Sequence, residues 1–219
     1  MSNGIKEDID KTVGLYSNSS WKRWFSKIRF WDAPYLEVEK LVPKRGLIID
    51  LGCGEGVFTN FLATCSSTRK VIGIEIDKKR LSQADHGIKN VKFMFGSATL
   101  KPFPSSDCFI LFHVLHHLKS YADQEKVLTK VYKSLKKDGK LIVVEVNPNF
   151  SIKYLIAWFT DHFLVPVLFE NRVYSEIFFR SEKEWTDLFK KIGFKTVIYD
   201  QSEGKPFSHI TYVCKKIKH

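Results

Sequence analysis

Two groups of residues in this chain of 219 residues have types and spacings that could do chemistry. The first is a glycine loop, DLGCGEG, which runs from Asp50 to Gly56 between a strand-like run and a helix-like run. Glycines at such a turn let the backbone bend sharply and approach a bound nucleotide or amino acid. Glu75 ends the next apolar run about twenty residues on, where a carboxylate can accept both hydroxyl groups of a ribose. Loop and acid together predict a site for a ribose-bearing ligand.

The second group is the run HVLHHL, which contains His113, His116 and His117. His113 ends a strand-like run, and the carboxyl ends of strands are the general ligand site of open α/β sheets. A histidine base suits the hydroxyl of a phenol or enol at neutral pH. The alternative that all three are hydrogen-bonded structural histidines stays open. No Asp, Glu or Cys at ligand spacing completes a metal site, so none is expected.

A parallel sheet is needed to position these residues. Five short apolar runs predict buried strands, at residues 46–52, 70–76, 91–96, 108–114 and 140–146. Helix-like segments alternate with them, at residues 57–65, 77–87 and 120–137, and the last is expected to stop at the turn Asp138-Gly139. This alternation predicts a doubly wound α/β fold.

The end of the chain has a different pattern. Ser181 and Glu184 are spaced as a capping box at the start of a helix, and Gly193 is a stop signal. The strand-like runs KTVIYDQ and HITYVCKK follow, joined by a short loop that contains glycine and proline. Two strands so close in sequence most easily form a hairpin, so the last strand is expected to be antiparallel to its neighbour.

Composition is that of a single globular domain. The chain is 44% hydrophobic with a net charge of +11, and its basic residues are scattered rather than clustered. The four cysteines show no paired or metal-binding spacing, which favours a reduced cytosolic compartment. The polar start has no signal-peptide core, and no apolar run reaches the length of a transmembrane helix. A cytoplasmic protein is expected, with contact at the inner membrane surface as an open alternative.

Four stretches in combination carry a resemblance to a known family: IIDLGCGEG, VIGIEID, DCFILFHVLHHL and LKKDGKLIVVEVNP. They resemble the class I S-adenosylmethionine-dependent methyltransferases, in the small-molecule group that includes quinone-biosynthesis enzymes. The resemblance covers residues 34–147 and 181–214. It implies a Rossmann-like, seven-stranded, mostly parallel sheet with an antiparallel last strand, and S-adenosylmethionine as the cofactor. The hairpin inferred above agrees with that sheet.

The resemblance also implies roles for individual residues. Asp50 and the backbone around the first glycines would hold the methionine part of the cofactor, and Glu75 would hold its ribose. His113 would lie closest to the methyl donor and His116 would face the substrate, while His117 is a packing residue. The predicted cofactor-binding residues are Arg29, Asp50, Gly52, Cys53, Gly54, Glu75, Ile76, Ser97, Ala98 and His113, and the predicted catalytic residues are His113 and His116. Ser97 stands where the family usually has an acid near the adenine.

Two further segments bear on the substrate. Residues 147–180 contain two aliphatic–aromatic runs and lie where the chain leaves the cofactor-binding edge of the sheet, so they predict an apolar lid. Residues 21–31, read as a helix, place Trp21, Trp24 and Trp31 on one stripe with basic residues beside it. This pattern is typical of a helix that lies in a membrane interface. The more usual alternative is an amphipathic helix that packs on its own domain. Residues 1–45 as a whole are expected to form a helical cap over the cofactor.

The leading hypothesis is therefore methyl transfer to a lipophilic small molecule such as a phenol, a quinone precursor or a polyene or fatty acid, with oxygen the expected acceptor. A nucleic-acid methyltransferase is a rival because of the net charge. Against it, the Asn147-Pro148 pair comes one strand too late for the corner that base-amino methyltransferases use. A non-catalytic cofactor-binding module on the same fold is a second rival. A nicotinamide dehydrogenase is disfavoured because the glycine spacing is G-x-G-x-G.

Overall fold

The computed structural model describes residues 3–99, 102–146, 177–206 and 208–217. Its centre is a seven-stranded sheet in the order β3-β2-β1-β4-β5-β7-β6. The strands are β1 (Gly46–Leu51), β2 (Arg69–Glu75), β3 (Val91–Phe95), β4 (Ser106–Phe112), β5 (Leu135–Val146), β6 (Phe194–Asp200) and β7 (His209–Lys216). Each predicted strand is present within a few residues of its expected bounds, so the predicted α/β class is confirmed.

Strand directions also agree with the sequence. Strands β1 to β5 pair in parallel, and β7 is antiparallel to both β5 and β6. Because β7 runs against β5, its first residue, His209, pairs with the last residue of β5, Val146. The start of β7 therefore lies at the edge where the parallel strands end, and this brings a residue from late in the sequence to the predicted site.

Helices cover both faces of the sheet. They are α1 (Asn3–Leu15), α2 (Ser20–Asp32), α3 (Tyr35–Leu41), α4 (Val57–Thr64), α5 (Lys78–Leu81), α6 (Tyr121–Ser134) and α7 (Glu182–Ile192), with a short 3-10 helix at Leu115–His117. Side chains alternate across β1, so that Ile49 and Leu51 pack in a core with α6 and α7, while Ile48 packs in a second core with α3 and α4. The predicted capping box of Ser181 and Glu184 is present at α7.

Two helices end earlier than predicted. The segment 77–87 forms only the four-residue α5, because the side-chain amide of Asn60 donates a hydrogen bond to the carbonyl of Ala84 and Gly87 adopts a positive φ. The helix predicted to run to residue 137 ends at Ser134, because Leu135 pairs with Ser106 at the start of β5 and is buried. Both errors arise from tertiary contacts that the local pattern does not contain.

Helix α2 does not bury its tryptophan stripe. Trp21, Trp24 and Trp31 are 50%, 52% and 63% exposed, and Phe30 instead contacts the core through Phe61 at a ring-centroid distance of 4.9 Å. The three tryptophans are therefore not buried against their own domain, which is the more usual arrangement for such a stripe. In the described part of the chain no helix is long and apolar enough to cross a bilayer. Most of the predicted lid, residues 147–176, lies outside the described residues.

Candidate functional site

The glycine loop connects β1 to α4 and depends on left-handed backbone. Gly52, Gly54 and Gly56 have φ values of 76°, 56° and 73°, a region that other residues rarely adopt. A Cβ atom on Gly52 would lie 2.5 Å from Val114, and one on Gly56 would lie 2.7 Å from Phe93. Only glycine therefore lets the loop pass this close to the ends of the neighbouring strands.

Glu75 lies where the loop meets the end of β2. Its Oε2 accepts a hydrogen bond from the backbone N–H of Gly54 at 2.8 Å, and its Oε1 accepts from Ile76 and Asp77, both at 2.8 Å. These backbone donors fix a buried carboxylate at the mouth of the loop, the place predicted for ribose binding. Carboxylate oxygens have further lone pairs, so two hydroxyl groups can still bind to it.

Asp50, the last polar residue of β1 before the loop, is buried and accepts a hydrogen bond from the Thr59 hydroxyl at 2.6 Å. Burial raises its pKa to about 7, and the nearby charge of Glu75 adds to the effect, whereas the Thr59 bond opposes it. Two carboxyl groups thus face the loop, and a cationic ligand would favour the ionised form of Asp50.

The far side of the loop rests on α1 and α5. The Tyr16 hydroxyl donates to the carbonyl of Glu55 at 2.8 Å and accepts from Asn60 at 2.9 Å. Arg80 binds the Glu55 carboxylate through two N–H groups, each at 2.9 Å. A cavity of about 220 Å³ lies beside this pair, lined in part by Tyr16, Phe25, Glu55 and Arg80. The loop is thereby tied to Tyr16, directly after α1, and to Arg80 of α5.

The end predicted to contact adenine is apolar and open. Ile76 is 61% exposed although it directly follows the buried Glu75. The hydroxyl of Ser97 lies 2.8 Å from that of Thr99, and the carbonyl of Ala98 accepts from Lys130 at 2.9 Å. An exposed isoleucine beside a buried carboxylate is suited to pack on a planar base. The predicted contacts of Ile76, Ser97 and Ala98 with adenine stay predictions.

Arg29 reaches the same side of the sheet from α2. It pairs with Asp32 at 3.3 Å, and its guanidinium lies 5.8 Å from the ring centroid of Tyr35. Its positive charge is one cause of the low pKa of His113, so it lies near the histidines. This position is compatible with the predicted contact between Arg29 and the methionine carboxylate, which stays a prediction. Cys53, between the two first glycines, has a pKa raised well above that of a free thiol by burial.

His113 follows β4 directly and has a φ of 55°, which is uncommon for a residue other than glycine. Its backbone N–H donates to Val144, and its Nε2 lies 3.1 Å from Nδ1 of His209. His209 is fully buried, and its Nε2 lies 2.9 Å from the carbonyl oxygen of Asp32. Burial, then the nearby His209 and Arg29, lower the pKa of His113 well below its ordinary value, so the ring is neutral at pH 7.

His116 is in a different environment from His113. It is 1% exposed, and its Nδ1 makes a short hydrogen bond with the buried carboxylate of Glu145, whose other oxygen accepts from the N–H of Leu115 at 2.9 Å. Phe179 stacks on the ring with centroids 5.0 Å apart. The rings of His113 and His116 are 6.3 Å apart, and His117 packs 4.1 Å from His116. His113 is only partly buried, so it is the histidine that a ligand reaches more easily.

Sequence reasoning missed Glu145 and His209. Glu145 is an acid inside the apolar run KLIVVEV, and a buried carboxylate needs a partner, so it was a detectable signal. His209 has no such local signal, because its position depends on the register of β7 against β5. The structure thus adds a partner to each predicted catalytic histidine.

These residues fit a cofactor of the predicted kind. The positive-φ glycines form a concave loop that a Cβ would fill, Glu75 provides oxygen acceptors beside it, and Asp50 supplies a carboxyl group suited to a cation. Ile76 adds an apolar surface next to the carboxylate. The arrangement can hold a nucleoside joined to an amino acid and place its reactive end near His113.

Known methyltransferases are similar to this chain in sequence and in fold. A family model described as a methyltransferase domain matches residues 44–193. Demethylmenaquinone methyltransferase of Lactobacillus johnsonii is 26% identical over 160 residues, covering 69% of this chain and 60% of that protein. O-methyltransferase 12 of Dictyostelium discoideum is 26% identical over 218 residues, covering 90% of this chain and 55% of that protein. The chain therefore spans less than two thirds of the length of these relatives.

A solved structure of a DhpI–SAH complex superposes with a TM-score of 0.67 at 19% identity and covers all of both chains. At this identity the match shows the fold alone. It confirms the predicted Rossmann-like sheet with its antiparallel last strand.

Proposed function

Because the chain belongs to the methyltransferase domain family, we propose that it transfers the methyl group of S-adenosylmethionine to a hydroxyl oxygen of a lipophilic small molecule. Family membership confirms the predicted resemblance to class I S-adenosylmethionine-dependent methyltransferases of small molecules, and with it the predicted cofactor. One observation carries the proposal: the glycine loop, Glu75 and the partly buried His113 meet at one edge of the sheet.

Binding and proton transfer are divided among the residues at this edge. Glu75 would hold the ribose and Asp50 the methionine part of the cofactor, while Gly52 and Gly54 let it approach the backbone. When bound, S-adenosylmethionine would supply an electrophilic methyl group for transfer to the acceptor oxygen. His113 takes the hydroxyl proton on Nδ1 and becomes an imidazolium. Alignment of the acceptor with the methyl group is the larger part of the catalysis.

The lowered pKa of His113 indicates how acidic the hydroxyl group of the acceptor must be. Its lowered pKa keeps the ring neutral and ready at pH 7, but a base of low pKa is also a weak base. Such a base takes a proton readily only from an acidic hydroxyl such as a phenol or enol. A carboxylic acid is already ionised at neutral pH and needs no base. This favours a phenol or quinone precursor over a polyene or fatty acid as the acceptor.

Apolar surroundings support a lipophilic acceptor. Phe178 and Phe179 lie next to His116: the N–H of Phe178 donates to the His116 carbonyl at 3.0 Å, and Phe179 stacks on the ring. They form the described end of the segment 147–180, whose aromatic composition is that of a substrate wall. The relative from Lactobacillus johnsonii is named for methylation of demethylmenaquinone. Demethylmenaquinone is a quinone and therefore belongs to the proposed class of lipophilic acceptors. We propose that residues 1–45 cover the cofactor.

The test compares three acceptor classes with methyl-labelled S-adenosylmethionine: lipophilic phenols, fatty acids and aryl amines. We expect label on the phenols alone, and His113→Ala to lower their methylation at least tenfold. His117→Ala is the matched control, because His117 is the neighbouring histidine without a proposed role, and it should change the rate by less than about twofold. Label on amines or acids alone, or full activity of His113→Ala, would contradict the assignment.

The exposed tryptophans of α2 support a second proposal, contact with an anionic lipid surface that holds the lipophilic acceptor. Trp24 and Trp31 lie two helical turns apart, with the exposed Lys27 between them. Aromatic side chains flanked by cations are typical of helices that lie in a membrane interface. This arrangement would place the protein at a membrane surface.

Cosedimentation with phosphatidylglycerol vesicles tests this contact. The double variant Trp24→Ala/Trp31→Ala should weaken binding at least tenfold, whereas Tyr199→Ala, which removes an exposed aromatic on the edge strand β6, should leave it unchanged. Absence of vesicle binding by the unaltered protein would refute the proposal.

A further inference from the structure

The side chains behind His113 form a chain of hydrogen bonds with a defined direction. The carbonyl oxygen of Asp32 can only accept, so Nε2 of His209, at 2.9 Å, must carry a proton and donate to it. A neutral His209 then has its lone pair on Nδ1. That nitrogen lies 3.1 Å from Nε2 of His113, so Nε2 of His113 must be the donor. The proton of the neutral His113 ring is thereby placed on Nε2, and the lone pair is left on Nδ1.

Burial and stacking keep this arrangement fixed. His209 is fully buried at the first position of β7, and the two imidazole rings stack with centroids 5.0 Å apart and planes 18° apart. The backbone of His209 is also held in place, because its N–H donates to Ser202 Oγ at 3.1 Å and its carbonyl accepts from the N–H of Gln201 at 2.9 Å. Among the described residues, every hydrogen bond of the His113 ring goes to His209.

We propose that His209 is a positioning residue for methyl transfer, which fixes the tautomer and orientation of His113 so that Nδ1 faces the acceptor as the proton-accepting atom. The proposal rests on the proposed role of His113 as the base. When Nδ1 takes the hydroxyl proton, the Nε2 proton stays in place and continues to donate to His209. The oriented lone pair of His209 then stabilises the positive charge that develops on His113.

Two amide variants separate the two hydrogen bonds of His209. In His209→Asn the side-chain oxygen can occupy the position of Nδ1 and still accept from His113, but the shorter side chain cannot reach Asp32. In His209→Gln the amide nitrogen can occupy the position of Nε2 and still donate to Asp32, but the bond to His113 is lost. A merely structural role predicts similar defects in both variants, whereas a positioning role predicts a difference.

Nitrogen NMR of histidine-labelled protein gives a readout that needs no substrate. In the unaltered protein we expect a His113 ring whose Nε2 carries a proton protected from solvent exchange and whose Nδ1 is unprotonated. His209→Asn should keep that protected proton, and His209→Gln should lose it, with exchange about tenfold faster for the loss of about one hydrogen bond. A His113 proton on Nδ1 in the unaltered protein, or equal protection in both variants, would overturn the proposal.

Rates with labelled S-adenosylmethionine and 2-naphthol, a lipophilic phenol, provide the second readout. We expect kcat to fall about tenfold in His209→Gln and less than threefold in His209→Asn, with the KM for S-adenosylmethionine unchanged in both. Equal kcat in the two variants overturns the positioning role while leaving the proposed function intact if His113→Ala is inactive. A fully active His113→Ala instead overturns the role of His113 as the base, and the positioning role with it.

Discussion

Removal of the Glu75 carboxylate is the perturbation that follows most directly from the geometry. In Glu75→Ala the two ribose hydroxyl groups lose their proposed acceptor, and the N–H of Gly54 loses its partner at 2.8 Å. Hydrogen bonds to a charged group contribute about 1.5–3 kcal/mol each, so two of them give about 3–6 kcal/mol. This corresponds to an increase in the Kd for S-adenosylmethionine of about 10²-fold to 10⁴-fold.

Isothermal titration calorimetry measures this change, and Asp77→Ala is its matched control. Asp77 is a carboxylate two residues away whose Oδ1 accepts from the backbone N–H groups of Lys79 and Arg80 at 2.8 and 3.1 Å. It caps α5, so its loss should cost about 1 kcal/mol of stability without changing the Kd more than about threefold. A folded Glu75→Ala protein that binds S-adenosylmethionine within threefold of the unaltered protein would refute the ribose assignment.

Three further predictions concern the same edge of the sheet. Because the pKa of Asp50 is raised to about 7, a cationic ligand must displace its proton, so S-adenosylmethionine affinity should fall about tenfold per pH unit below pH 7; calorimetry should show this dependence disappear in Asp50→Asn. Gly52→Ala should weaken cofactor binding at least tenfold through the contact with Val114. Gly87→Ala, with a similar φ of 73° and nothing within 4 Å of the added Cβ, should cost only stability, measured by thermal unfolding. Because the pKa of His113 lies well below its ordinary value, kcat at saturating cofactor should stay level from about pH 8 to pH 6; a tenfold fall over that range would contradict the neutral state of the ring.

The sheet could be predicted because its strands carry their signal locally. Each buried strand is a short apolar run, and the short connection between β6 and β7 leaves a hairpin as the simplest pairing. The glycine loop and Glu75 could be placed for the same reason, since both lie at ends of such runs. Helix ends were less predictable: Leu135 has helical spacing in the sequence but pairs with Ser106 in the sheet.

The surroundings of His113 and His116 could be predicted only in part. His113 and His116 follow β4 in sequence, so their place at the sheet edge was predictable. The pairing of each histidine with its partner was not predictable, because Glu145 reaches His116 across the β4–β5 pair and His209 reaches His113 only through the antiparallel register of β7. The two contacts span 29 and 96 positions of the sequence, and both depend on sheet order, which no local pattern encodes.

The most direct test of methyl transfer to a lipophilic hydroxyl uses the acceptor from the protein's own source. The protein is incubated with methyl-labelled S-adenosylmethionine and whole lysate, and the label is followed into organic extract, nucleic acid, protein and aqueous metabolites. We predict label in the organic extract, on an oxygen atom of a phenol or quinone precursor, and none in the Glu75→Ala control. Label in nucleic acid or protein, or cofactor binding without any labelled acceptor, would contradict the proposed function.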